Sequence, residues 1–197
     1  MITRMWRDAT SLSRAARGAG DRNGGLRMLR TDAWMILALF RVREVALRWH
    51  IPVVNRVLRL MQMMFGGVEL GNDITLGEGV YFIHSLGTVI GGDARVGDRV
   101  RFLGNNTVGA AKDDGYPVIG HDVEVGCGAR ILGPVHIGDG AVIGANAVVL
   151  HDVPAGAVAV GVPARILTHR EVAPRPSALR PTTHRATRPL IFTEISA

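Results

Sequence analysis

The chain has 197 residues, a formal net charge of +6 and 25 glycines, so it allows about one domain and contains far more turns than an average globular chain. A single cysteine, Cys127, excludes a disulfide framework and makes a reducing, cytoplasmic compartment the default. Residues 1–65 hold twelve arginines against four acids, whereas residues 66–170 hold seven bases against eleven acids; this mildly acidic middle has no basic stripe with stacking aromatics, which excludes nucleic acid as the partner.

Residues 1–30, with Gly18, Gly20, Gly24 and Gly25 among arginines and serines, are expected to form a flexible leader, and they lack the apolar core and cleavage site of a signal peptide. Residues 31–67 predict a helical cap. Thr31 or Asp32 caps a first helix through about Trp49, Pro52 opens a second one to Phe65, and Gly66-Gly67 stops it. The longest apolar run, residues 33–40, is far short of the roughly 20 residues needed to cross a bilayer. Arg41, Arg43, Arg48, Arg56 and Arg59 beside Trp34 and Trp49 leave two readings. The cap packs on the first coil and on a partner subunit, or it offers a basic amphipathic surface to anionic lipid at the inner face of the membrane.

Residues 68–168 repeat every six positions. An aliphatic or aromatic residue leads each hexad at Leu70, Leu76 and Phe82, at Ile90, Val96, Phe102 and Val108, and at Ile119, Val125, Ile131, Ile137, Ile143 and Val149. Glycine commonly follows the lead, and a small or aliphatic residue stands four places after it, as at Ala94, Val100, Val123, Ala129, Val135, Ala141, Ala147 and Val153. That period belongs neither to a helix nor to simple strand alternation. One hexad cannot bury its own apolar side chain, so the coils must stack into a mainly β solenoid, with the lead residues in internal ladders about 4.8 Å apart. Residues 169–197, with Pro174, Pro176, Pro181 and Pro189 and no periodicity, are expected to be a disordered tail.

Interruptions of a solenoid repeat leave the stack as loops, and there function tends to collect. The step from Phe82 to Ile90 is two residues too long and contains His84, which points out of the coil. An imidazole can take a proton from a hydroxyl at neutral pH if a carboxylate fixes its tautomer, and Glu69, close to one coil away, is the carboxylate expected on the same face. The step from Val108 to Ile119 extrudes residues 110–117, which carry Lys112, the only lysine of the chain. Lys112 is either a ligand contact or a product of arginine-rich composition.

These residues resemble the left-handed β-helix hexapeptide acyltransferases, within them the serine acetyltransferases and related exopolysaccharide O-acetyltransferases. The resemblance covers roughly residues 66–167 and rests on Phe82-Ile83-His84-Ser85-Leu86-Gly87, Val89-Ile90-Gly91-Gly92, Ile143-Gly144-Ala145-Asn146-Ala147-Val148-Val149, Asp152-Val153-Pro154 and Gly161-Val162-Pro163-Ala164-Arg165. It implies a left-handed coil and a homotrimer with sites between neighbouring solenoids. Acetyl-CoA would lie along the groove as co-substrate, without a metal. His84 is then the general base, Glu69 its orienting partner, and a backbone N–H near Gly109 the oxyanion donor. Gly126, Cys127, Gly144 and Ala145 match positions where the pantetheine approaches the backbone, and Pro163 and Arg165 match the nucleotide end.

Departures from the family shape the acceptor. Where serine acetyltransferases carry Asp-Ile-His-Pro, Asp-His and Arg-His-Pro, this chain has Glu69-Leu70-Gly71-Asn72, Ile83-His84 and Gly115-Tyr116-Pro117. The groups that would hold a zwitterion are missing, and a buried charge without a partner is costly. The expected function is therefore acetyl transfer to a hydroxyl of a sugar or exopolysaccharide precursor, with Tyr116 offering a ring face and a hydroxyl to a pyranose. Serine O-acetyltransferase is the alternative. A zinc hydratase on the same solenoid needs three histidines, and His84, His121, His136 and His151 lack the required close spacing. A scaffold with a decayed site is the non-enzymatic alternative.

Overall fold

A computed structural model of the protein describes residues 2–16, 32–112 and 115–167. The expected tail lies outside these residues, as does the part of the leader from 17 to 30. The solenoid is present as a parallel β-helix whose coils contribute one short strand to each of three sheets. The first sheet stacks β1 (Val68–Leu70), β4 (Thr88–Ile90), β7 (Thr107–Gly109), β10 (Arg130–Leu132) and β13 (Val148–Val149). The second stacks β2 (Thr75–Leu76), β5 (Arg95–Val96), β8 (Val118–Ile119) and β11 (His136–Ile137). The third runs through β3 (Tyr81–Phe82), β6 (Arg101–Phe102), β9 (Glu124–Val125), β12 (Val142–Ile143) and β14 (Val158–Val160), and ends on β15 (Arg165–Ile166), which folds back antiparallel.

Every lead residue of the hexads is buried, and so are the eight residues four places after a lead quoted above. Leu70, Ile90, Val108, Ile131 and Val149 form one internal ladder, in register from coil to coil. Phe82 and Phe102 stack at 5.4 Å between ring centroids, so the two aromatic leads fall on the same ladder of the third sheet.

The cap contains the two expected helices, α2 (Asp32–Arg48) and α3 (Pro52–Gly66). Before them, Ile2–Ala16 forms α1, where the sequence led us to expect part of a flexible leader. The reason is a distant partner. Asp8 is buried, accepts from Arg41 Nε at 2.9 Å and from the backbone N–H of Gly79 at 2.9 Å, and so ties α1 to α2 and to the first coil.

Of the five arginines that one reading gave to a lipid-facing surface, the same packing buries Arg41 and Arg43 and leaves Arg48 and Arg56 exposed. The first coil donates its N–H groups to the carbonyls of the second, for example Gly71 to Ile90 and Gly77 to Val96, which leaves first-coil carbonyls facing the open end of the stack. Arg41 donates to the carbonyls of Leu76 and Gly77, and Arg43 to those of Leu70 and Gly71. Both side chains are buried end-caps and are withdrawn from any lipid-facing role. Among the described residues Arg43 pairs with no carboxylate; its remaining hydrogen bonds go to the amide oxygens of Asn55, Gln62 and Asn72, and burial together with the charge of Arg59 pushes its guanidinium down to about 10. Among the described residues no helix is long and apolar enough to cross a membrane.

Candidate active site

The site is assembled where the cap meets the first coil. Gly67, at φ 61°, turns the chain out of α3 in a left-handed cap and donates its N–H to Met63 O at 3.1 Å. β1 follows at once, and because Val68 and Leu70 are buried, alternation directs Glu69 outward between them.

His84 stands exposed in the bend after β3, where the first break lets the chain leave the coil. Two contacts bring this corner back beside β1. Gly87 N–H donates to Gly67 O at 2.9 Å, and β4 lies on β1 with Glu69 opposite Val89. Glu69 and His84 therefore lie along one edge of the solenoid. No hydrogen bond or ion pair joins them among the described residues. Glu69 Oε1 instead accepts from Arg59 Nη2 of α3 at 2.5 Å.

The neighbouring corner is held by Asn106, which is fully buried. Its Oδ1 accepts from Gly104 N–H at 3.0 Å and its Nδ2 donates to Gly126 O at 2.7 Å. A Cβ on Gly104 would press on His84 O at 2.7 Å, so the glycine lets the second coil pass close to His84. Sequence reasoning missed both Arg59 and Asn106. A signal for Asn106 was present, since it is a polar residue four places after the lead Phe102, where the repeat otherwise buries small or aliphatic side chains.

The second break leaves β7 after Gly109 and returns through Tyr116, with Lys112 exposed on the way. Gly109 and Gly91 each face open space, so a ligand could approach the backbone at both. Tyr116 lies flat over Gly92, where any Cβ would overlap the phenol ring. Gly126 and Gly144 have a structural reason to be glycine: a Cβ would meet Ala145 N at 2.5 Å in the first case and Val160 Cγ1 at 2.7 Å in the second. Cys127 and Ala145 are exposed one coil apart, and Asn146 N–H donates to Cys127 O at 2.8 Å. Pro163 and Arg165 are exposed around the final turn into β15. An open groove beside β8 and β11, lined by Val118, His136, Asp152 and Pro154 among others, contains none of them.

Two of the histidines weighed as zinc ligands are engaged at coil corners. His121 Nδ1 accepts from Asp98 N–H at 3.0 Å, and His136 Nδ1 lies 3.7 Å from Asp152 Oδ1.

Residues 116–151 match the family described as bacterial transferase hexapeptide (six repeats). A serine acetyltransferase of Synechococcus elongatus is 36% identical over 149 residues, covering 74% of this chain and 61% of its own length. One of Helicobacter pylori is 34% identical over 135 residues, covering 67% of this chain and 79% of its own length. A solved serine acetyltransferase in complex with CoA superposes with a TM-score of 0.77 at 27% identity, over 84% of this chain and 69% of the other. The chain thus spans less than two thirds of the Synechococcus relative.

These matches overturn the sugar or exopolysaccharide acceptor and the exopolysaccharide branch expected from Gly71, Ile83 and Tyr116, and they favour the serine alternative. The expectation failed because it read the charge complement of the acceptor from motif positions alone.

Proposed function

Because this chain belongs to the hexapeptide-repeat acyltransferases of the serine acetyltransferase type, we propose that it transfers the acetyl group of acetyl-CoA to the hydroxyl of serine. The observation that carries this reading is the reach of the likeness. The repeat match is confined to residues 116–151, whereas the likeness to the Helicobacter relative runs over 135 residues, beyond what shared hexads alone require.

In this reaction His84 removes the proton of the seryl hydroxyl as its oxygen attacks the thioester carbonyl. Glu69 fixes the imidazole tautomer and stabilises the imidazolium that forms. A backbone N–H near Gly109 receives the oxyanion of the tetrahedral intermediate, in a place the structure leaves open. Collapse of the intermediate breaks the carbon–sulfur bond, and the departing thiolate takes the proton from His84. The pantetheine runs past Gly126, Cys127, Gly144 and Ala145, with Pro163 and Arg165 toward the nucleotide and Lys112 on the loop beside it. Tyr116 lines the acceptor side. The groove is completed between solenoids of a homotrimer in the cytoplasm, consistent with the scattering of these residues over one protomer.

Thiol release from acetyl-CoA tests the reading. L-serine should be acetylated saturably, and His84→Ala should lower turnover by roughly a hundred- to ten-thousand-fold with CoA affinity little changed. Absence of serine-dependent thiol release from the wild-type chain would refute the acceptor, and near-full turnover in His84→Ala would refute the base.

A further inference from the structure

Arg59 lies on α3 at the border between two faces. One is the buried face, where Gln62 donates to Ile36 O at 3.0 Å and accepts from Arg43 at 2.7 Å. The other is an exposed apolar stripe of Val53, Val57, Leu60 and Met64. The buried contacts hold the helix rigidly, so the root of the Arg59 side chain is fixed. Its Nη2 grips Glu69 through Oε1 alone, and Oε2 accepts no hydrogen bond among the described residues. A carboxylate held by one oxygen has lost its free rotation, and the corner that carries His84 lies along the same edge of the solenoid.

Arg43 of α2 lies behind Arg59, close enough for the two cations to repel, and Glu69 is the one carboxylate that pairs with Arg59 among the described residues.

We propose that Arg59 is a positioning residue: it holds Glu69 by Oε1 and leaves Oε2 to orient the imidazole of His84. This rests on the roles given to His84 and Glu69 in the proposed function.

The test compares the full chain with Arg59→Gln, Arg59→Lys and His84→Ala in serine-dependent thiol release across the neutral pH range. Arg59→Gln lets the Glu69 carboxylate swing free, so kcat should fall by about tenfold with the KM values for acetyl-CoA and serine unchanged. Arg59→Lys, which can still hold one carboxylate oxygen, should recover most of that loss. An unchanged kcat in Arg59→Gln, with His84→Ala inactive, overturns the role of Arg59 and leaves the base assignment standing. A selective rise in the KM for serine makes Arg59 an acceptor contact and also overturns it. Full turnover in His84→Ala removes the base, and this inference with it.

Discussion

The hydroxyl of Thr88 is buried in the second coil without a hydrogen-bond partner among the described residues. Thr88 lies opposite Val68 and points inward, in a ladder whose other polar member, Asn106, has both ends of its amide hydrogen-bonded. Burying an unpaired hydroxyl costs free energy that a methyl of the same shape does not. Thr88→Val should therefore stabilise the fold by about 1 kcal/mol, measured as a higher denaturant midpoint at unchanged slope. A lower midpoint would mean that the hydroxyl has a partner. Single residues of this kind mark the limit of legibility. His84 and Glu69 could be singled out because a break in a strict period exposes one and a known coil length locates the other. Arg59 could not, since no period relates a residue of α3 to a strand that follows a glycine turn. The acceptor was misread because substitutions at three motif positions were taken to outweigh a likeness that runs over 135 residues.

At the scale of elements, the repeat was legible because burial recurs at fixed spacing, and α2 and α3 were legible because proline and paired glycines punctuate them. α1 was not, because its attachment depends on one acid meeting an arginine 33 residues away. Burial works against the charge of Arg41, but the hydrogen bond and charge of Asp8, with Glu44, outweigh it and hold the guanidinium above its ordinary value. Removing one partner of a buried pair is far more damaging than the pair is stabilising, at about 3 kcal/mol. Asp8→Ala also strands the N–H of Gly79. Amide exchange within α1 should then accelerate by roughly a hundredfold while the solenoid amides keep their rates. Equal rates in variant and wild type would show that α1 is held by other contacts.

For the molecule as a whole, the stripe of Val53, Val57, Leu60 and Met64 on α3 is the feature that a lone protomer leaves unexplained. Each side chain is at least half exposed, and their spacing of four, three and four residues is that of a helix seam. Together with the incomplete groove this argues for assembly. Light scattering should give the mass of a trimer, and Leu60→Glu combined with Met64→Glu should lower both that mass and the activity. A fully active wild-type monomer would overturn the claim.

The two closed ends of the stack have a consequence for solubility. A parallel β-helix is a growing template, since its last rung presents a row of bonding groups to any strand that arrives, including one from another copy. At one end Arg41 and Arg43 occupy the carbonyls of Leu70, Gly71, Leu76 and Gly77; at the other, β15 reverses direction against β14. A guanidinium cannot continue a ladder, and a reversed strand breaks the parallel pattern. The same buried arginines that seat the helical cap therefore keep a naturally fibre-like architecture from extending end to end into amyloid.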